Sequence, residues 1–541
     1  MLFSDMMLLF FLFLITITIT FSLKTIAIIG GGAAGYFSAI QCANILNNNN
    51  NKYKIILFEA SKETLSKVLI SGGGRCNVMH DPSKGPKEIS KGYPRGSKEL
   101  VGPLVSVFGP DEAYKWFTDK GVKLKTEDDG RVFPITDKSQ TIIDALESQT
   151  KKFNVDIKLR SRVTSVKNIN NDKSNSFLIE YITLLSSNDN DNNNDDNNND
   201  VDNNNNNNNN DNKNTKKSTI TADRIIFATG SSRLGYNMLQ GLGHSIVSPL
   251  PSLFSFKISD KNLTELSGIS VPDSKIELQI PKEFSKGPHK ALVRPNFLPL
   301  LKQKGPLLIT HQGLSGPACL RLSAFGARVM AAMNYKFDIK VCWLGKGNKK
   351  GISSDESYTV STEELIQHLS TEKLKHPTRL IGKAFPIMPI PEEREWWDDG
   401  TYDQYLDDND NDNDSNNIKG MTLTRRLWLY LLNKANIDGT LRWVDIQQKD
   451  IISLTKVILE STYSVIGRGE YRDEFVTCGG VPLSEINMST MKSKLVEGMY
   501  LCGECIDIDG VTGGFNFQSA WTTAYIAGDS AAKAILNEET D

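Results

Sequence analysis

Basic residues are concentrated nowhere in this chain of 541 residues: 62 Lys and Arg stand against 64 Asp and Glu, and no Lys/Arg block stands out. Without a basic stripe there is no electrostatic grip on phosphates, so nucleic acid is not an expected partner. Cysteine is scarce: Cys42, Cys76, Cys319, Cys342, Cys478, Cys502 and Cys505 are too few and too unevenly spread for a disulfide framework. The six histidines lack HExxH or any other ligand spacing, so no metal site is expected.

Met6 to Leu23 is an apolar run of 18 residues, at the lower limit for crossing a bilayer. No Lys or Arg precedes it, and Lys24 follows it. One reading is a leader that reaches a membrane or the secretory pathway. The other is a non-inserted extension of a cytoplasmic protein, because a strand begins at Thr25 and leaves almost no linker.

The length suggests about three or four ordinary domains. Asn-rich tracts at 47–51, 188–214 and 407–417 dilute a normal apolar content, so disorder is expected to be local.

What is present begins with KTIAIIGGGAAG, an apolar strand running into Gly30, Gly32 and Gly35 at GxGxxG spacing. Gly30 permits the tight turn, Gly32 lets the backbone approach a pyrophosphate, and Gly35 lets the following helix pack on the sheet. Ala33, Phe37 and Ile40 give that helix an apolar face, and its N-terminus offers free N–H groups to phosphates. A second strand, Tyr53 to Phe58, ends in Glu59, 24 residues after Gly35; the five asparagines at 47–51 account for five, leaving 19. That interval suits the acid that holds an adenosine ribose. The motif alone does not separate FAD from NAD.

SGGGRCN, Ser71 to Asn77, adds small residues and a planar cation, Arg75, suited to a pyrophosphate or a flavin edge. Three alternating segments between Val155 and Gly230 suggest a meander, with the long Asn tract as a hairpin insertion between its second and third strands. A further strand, Met499 to Leu501, precedes Gly503, Glu504, Gly513 and Gly514, then a helix near Asn516. A flavin lies extended across its domain and needs such a second strand end, with Glu504 for its ribityl chain and a helix N-terminus for its pyrimidine edge. An ordinary NAD-dependent dehydrogenase needs no such return.

Other motifs carry less. Cys502 and Cys505 form a CxxC but read as two small buried thiols. Ser315, near His311, misses GxSxG by one residue and reads as a helix cap. Gly345 to Gly351 reads as a loop, leaving no second dinucleotide fold for NAD(P)H, and Trp396 with Trp397 reads as linker packing.

From Lys24 to Gly528 the chain resembles NAD(P)/FAD-dependent oxidoreductase flavoproteins, variously described as aminoacetone oxidases or 3-dehydro-bile-acid reductases. The motifs are IIGGGAAG, SGGGRCN, GRVFP at 130–134, IIFATG at 225–230, LGH at 242–244, THQGLSGPACLRLS from Thr310, TCGGVPLSEINMSTMKSKLVEGMYLCGE from Thr477, and DGVTGGFNFQSAWTTAYIAG from Asp509. The resemblance implies an α/β fold: a glutathione-reductase-like FAD-binding Rossmann domain interrupted by a β-rich domain and a helical subdomain. On this reading 1–23 is the leader, 24–235 and 466–541 form the FAD domain, 236–350 the β-rich domain and 351–465 the helical subdomain. The expected cofactor contacts are Gly30, Gly32, Ala34, Gly35, Glu59, Gly74, Arg75, Cys76, Asn77, Val163, Thr229, Gly230, Gly503, Glu504, Gly513, Gly514, Phe515 and Asn516. The expected activity is hydride passage through FAD between a small organic substrate or NAD(P)H and oxygen or an unsaturated acceptor. The alternative is a non-catalytic, membrane-tethered flavin sensor, and a third reading is a hydrolase through Ser315. No catalytic acid or base is assigned.

Overall fold

Every residue from Thr25 to Ile29 is buried, as befits a strand covered on both faces. In the computed structural model this strand lies between Tyr53–Phe58 and Arg224–Phe227, parallel to both. Asp156–Lys158 and Met499–Leu501 extend the parallel sheet on either side, and Lys492–Ser493 with Ile486–Asn487 close one edge antiparallel. The structure describes residues 23–46, 53–171, 174–184, 215–286, 288–293, 295, 297–344, 360–383, 388–389, 420–421, 423–469 and 476–540. The apolar run 6–22, the Asn-rich tracts, Gly345 to Gly351, Trp396 and Trp397 lie outside them. Among the described residues no helix is long and apolar enough to cross a membrane.

The chain divides into two units, Met1–Pro249 with Thr477–Asp541, and Leu250–Val476. In the first, helix Ala33–Ile45 is buried from Ala34 to Ala43 and packs against the last helix, Phe515–Thr540. The contact is close: a Cβ added at Gly528 would come within 2.6 Å of Ser38 O, and Cys42 Sγ donates to Gly528 O. The three-stranded meander is present as Ser161–Asn171, Ser174–Leu184 and Thr215–Ala222, with Leu184 paired directly to Thr215. Arg224–Phe227 then returns the chain to the large sheet.

The second unit is a closed antiparallel barrel of Phe256–Ile258, Gly313–Ser315, Lys302–Thr310, Ser270–Gln279, Phe337–Cys342 and Ser461–Arg468. Helices Thr362–Lys375, Arg425–Lys434 and Gln448–Glu460 share its hydrophobic core, in which Trp343, Trp428 and Trp443 are fully enclosed. The sequence divides this stretch at 350 into β-rich and helical parts; in the structure both belong to one unit.

Ser315 does not cap the helix Pro317–Ala332. It ends a barrel strand and its Oγ meets Ser255 Oγ at 2.7 Å, while Gly316 holds the capping position at φ +93°. A Cβ there would come within 2.9 Å of Leu308 N and Pro306 O, so the turn needs glycine and the cap falls one residue later than expected.

A buried histidine ties the two chain segments of the first unit together. His244 meets Glu485 Oε2 through Nδ1 at 2.7 Å and Ser493 Oγ through Nε2 at 2.9 Å, an order that resembles a hydrolase triad. The serine oxygen, however, is buried and accepts the N–H groups of Leu495 and Val496, so it has no access to a substrate. Burial would raise the Glu485 pKa, but hydrogen bonds from Ser245 and His244 outweigh it and hold the carboxyl below its ordinary 4.5. This stabilisation is present above pH 4.5 and lost as pH falls through the folded value. His244→Phe removes one hydrogen bond from each of Glu485 and Ser493 and should cost about 2 kcal/mol in urea unfolding at neutral pH. No serine-reactive phosphonate should label Ser493 or Ser315 in the native protein.

Candidate functional site

Ile29, Phe227 and Leu501 stand in register as the last residues of three adjacent parallel strands. The segments Gly30–Gly35, Ala228–Gly230 and Cys502–Glu504 therefore leave the sheet along one edge, the carboxyl edge at which open α/β sheets bind ligands. They touch there. A Cβ on Gly30 would come within 2.3 Å of Ala228 O, and one on Gly503 would come within 2.8 Å of the Ala34 methyl. Gly35 allows the tightest approach: its Cβ would sit 1.8 Å from Gly30 O, so only glycine lets the helix begin directly behind the turn. Gly32 differs, since a Cβ there meets nothing within 4 Å and its face is open.

Glu59 closes this turn. Its carboxylate accepts the N–H of Gly31 on Oε2 and that of Ser61 on Oε1, each at 2.8 Å. Across the two intervening strands of the same edge, Glu504 Oε1 accepts from Thr477 N at 2.9 Å, and Oε2 pairs with Lys67 at 2.7 Å. Gly230 lies against the same carboxylate. Thr229 Oγ1 is buried against Gly235 of the following helix without a hydrogen-bond partner. Val163 lies in the meander, buried opposite Tyr181 at a bulge and two residues beyond Ser161, whose N–H donates to Glu59 O at 2.8 Å.

The SGGGRCN loop is held from behind. Gly74 O accepts from Ser139 N, and Cys76 is enclosed, its thiol pushed up to about 12 by burial. Arg75 lies 3.8 Å above the Phe133 ring and pairs with Glu127 at 2.8 Å and Asp137 at 3.3 Å, so its charge is already balanced within the loop. With its amide oriented to satisfy both neighbours, Asn77 donates to Met79 O at 2.9 Å and accepts from Gly514 N at 3.0 Å.

That bond reaches the second turn, Gly513–Asn516. A Cβ on Gly514 would collide with Met79 C and O at 2.2 Å, which seats the start of the last helix directly on the strand Met79–His80. Phe515 stacks on His80 at 4.6 Å, and its carbonyl accepts from Tyr93 OH at 2.7 Å. Asn516 spends its side chain on Gly510, accepting from N at 2.8 Å and donating to O at 2.9 Å. Its backbone N–H belongs to the first helical turn, where no intrahelical carbonyl is available. Asp509, fully buried, pairs with Arg95 just ahead of this turn.

His80, Lys67 and the Arg95–Asp509 pair escape sequence reasoning, because each acts on a partner more than 400 residues away and no spacing rule links them. Cys502 and Cys505 are both buried as free thiols, and burial raises both, Cys505 to about 12. Among the described residues no group of three or more His, Cys, Asp or Glu could hold a metal ion.

The family model described as the HI0933-like protein Rossmann domain matches residues 24–188 and 170–530. The ribosomal RNA dihydrouridine synthase of Haemophilus influenzae is 24% identical over 509 residues, covering 92% of this chain and 96% of that protein. The 3-dehydro-bile acid delta(4,6)-reductase of Clostridium scindens is 20% identical, covering 94% of this chain and 100% of that protein. Among solved structures, the 3-ketosteroid-delta4-(5alpha)-dehydrogenase of Rhodococcus jostii RHA1 is 12% identical with a TM-score of 0.42, covering 95% of this chain and 98% of that one. The chain belongs to the HI0933-like Rossmann-domain family and is a flavin-dependent oxidoreductase.

Proposed function

We propose that this protein binds FAD along the carboxyl edge of its parallel sheet and reduces a carbon–carbon double bond conjugated with a carbonyl. The observation that carries the FAD reading is the return of Met499–Leu501 to the sheet beside Arg224–Phe227. It adds a second strand end and a second glycine turn to the first, which a dinucleotide read by GxGxxG alone does not need. The residues fit the group: an open face at Gly32 and the N-terminus of a helix of 26 residues. Two relatives support the reaction class, since a dihydrouridine synthase and a delta(4,6)-reductase of a 3-dehydro bile acid are both named for saturating double bonds beside carbonyls.

When bound, FAD supplies hydride transfer; the protein supplies position and field. Gly32 admits the pyrophosphate to the N-terminus of helix Ala33–Ile45, and Glu59 offers its carboxylate to the adenosine ribose. Glu504, whose Oε2 pairs with Lys67, would accept from the ribityl hydroxyls. The first turn of the last helix directs its free N–H groups and positive dipole end at the ring edge. NADH or NADPH would be the hydride donor, and among the described residues there is one parallel sheet.

The test is anaerobic. Purified protein should carry FAD near one to one, lose its visible absorbance on addition of NADH or NADPH, and regain it with an enone under argon. Retained FAD with no bleaching by either nucleotide would refute the reductase and favour an oxidase or the non-catalytic sensor. Gly32→Val introduces no clash, so it should keep the thermal midpoint within a few degrees while abolishing stoichiometric FAD. Glu59→Ala should weaken FAD about tenfold or more, and full FAD occupancy in the double variant would refute this placement.

The buried thiols take no part. Iodoacetamide at pH 8 should modify at most one cysteine of the native protein, Cys342, which alone of the seven is not fully buried, whereas all seven should react after unfolding. Fast native alkylation of Cys502 or Cys505 would reopen a thiol relay.

A further inference from the structure

We propose that His80, held in one tautomer between the Gly513 carbonyl and Lys84, is a positioning residue for the turn that faces the flavin; the inference rests on the FAD reading above. Its basis is the set of partners around the ring. His80 Nδ1 lies 3.0 Å from Gly513 O, and Nε2 lies 3.1 Å from Lys84 Nζ. A carbonyl only accepts and an ammonium only donates, so both contacts demand the same neutral ring, with its proton on Nδ1 and Nε2 bare.

The ring has little freedom. It is 8% exposed, stacks on Phe515 at 4.6 Å, and fills the space beside Gly130, where a Cβ would come within 2.7 Å of Cε1 and Nε2. Burial and the Lys84 charge both lower its pKa and outweigh Asp81, Asp129 and the Gly513 carbonyl, which favour the charged form. The ring therefore stays neutral through the physiological range.

The consequence is a peptide unit held at both ends. The carbonyl of Gly513 accepts from His80, and the N–H of Gly514 is donated to Asn77. Asn77 ends the SGGGRCN loop and His80 follows three residues later, so one stretch of chain fixes the plane of the Gly513–Gly514 peptide just ahead of the last helix. Through that peptide His80 sets the direction in which the first free N–H groups of the helix point. It reaches the flavin through the turn and needs no contact of its own.

His80→Leu removes the donor, and His80→Asn keeps an amide N–H at about the position of Nδ1. In the leucine variant the dissociation constant of oxidised FAD should rise about tenfold. That of reduced FAD should rise further, because the helix N-terminus favours the added negative charge, so the midpoint potential should move negative. The asparagine variant should return both toward wild type. Equal potentials in wild type, leucine and asparagine variants, all with FAD bound, would overturn the inference while leaving the FAD reading intact. A wild-type protein that binds no FAD would overturn the FAD reading and this inference with it.

A second measurement does not depend on flavin or on the folding of the leucine variant. Nitrogen-15 histidine spectra of wild type should show His80 protonated at Nδ1 alone. In Lys84→Met, an exposed position, the Gly513 carbonyl should still hold the Nδ1 proton, while the imidazole pKa should rise because the neighbouring charge that lowers it is gone. A wild-type imidazole protonated at Nε2 would overturn the proposal whatever the flavin does.

Discussion

The common ending of Ile29, Phe227 and Leu501 is the constraint on which the site depends. Parallel neighbours that stop together must send their connections out along one edge, and the chain can meet there only if side chains do not intervene. Glycines at 30, 35 and 503 satisfy that condition by letting backbone rest on backbone or on a methyl group. The polar groups follow: Glu59 and Glu504 leave the same edge on either side of the two central strands, each with its carboxylate already oriented by backbone N–H donors. A ligand entering this edge finds acceptors whose rotamers are already set, which reduces the entropy lost on binding.

The opening strand, the helix from Ala33, the acid at the end of the second strand, the meander and the final strand with its glycines were legible because each is encoded within a few residues by period, spacing or turn chemistry. The tertiary work of the polar side chains was not. Arg75 looks from its motif like a free cation, yet Glu127 and Asp137 arrive from downstream to neutralise it. Ser315 has the residue type of a cap, but the positive φ needed at Gly316 moves the helix start past it. His80 carries no local mark, since its meaning comes from Gly513, 433 residues later. Periodicity reports which face is buried and is silent about which distant carbonyl a ring nitrogen will find.

The second unit shows how an interruption can fold around its own core. Its barrel closes on itself, so it exposes no sheet edge within the ring, and its helices, Pro317–Ala332 among them, complete an apolar interior with enclosed tryptophans. Such a unit satisfies its own backbone, so its insertion between Pro249 and Thr477 places few demands on the sheet that precedes and follows it.

Leu184 and Thr215 face one another as the last pair of a ladder that runs in unbroken register from Phe177 opposite Ala222. The chain between them departs and returns at a single rung, so the ladder does not register how many residues the excursion contains, and closure cost grows only logarithmically with that number. This is where an encoded repeat can lengthen or shorten between generations without reaching the sheet. For the same reason it is the natural seam at which the polypeptide could be cut into two separately made fragments that reassemble by strand pairing.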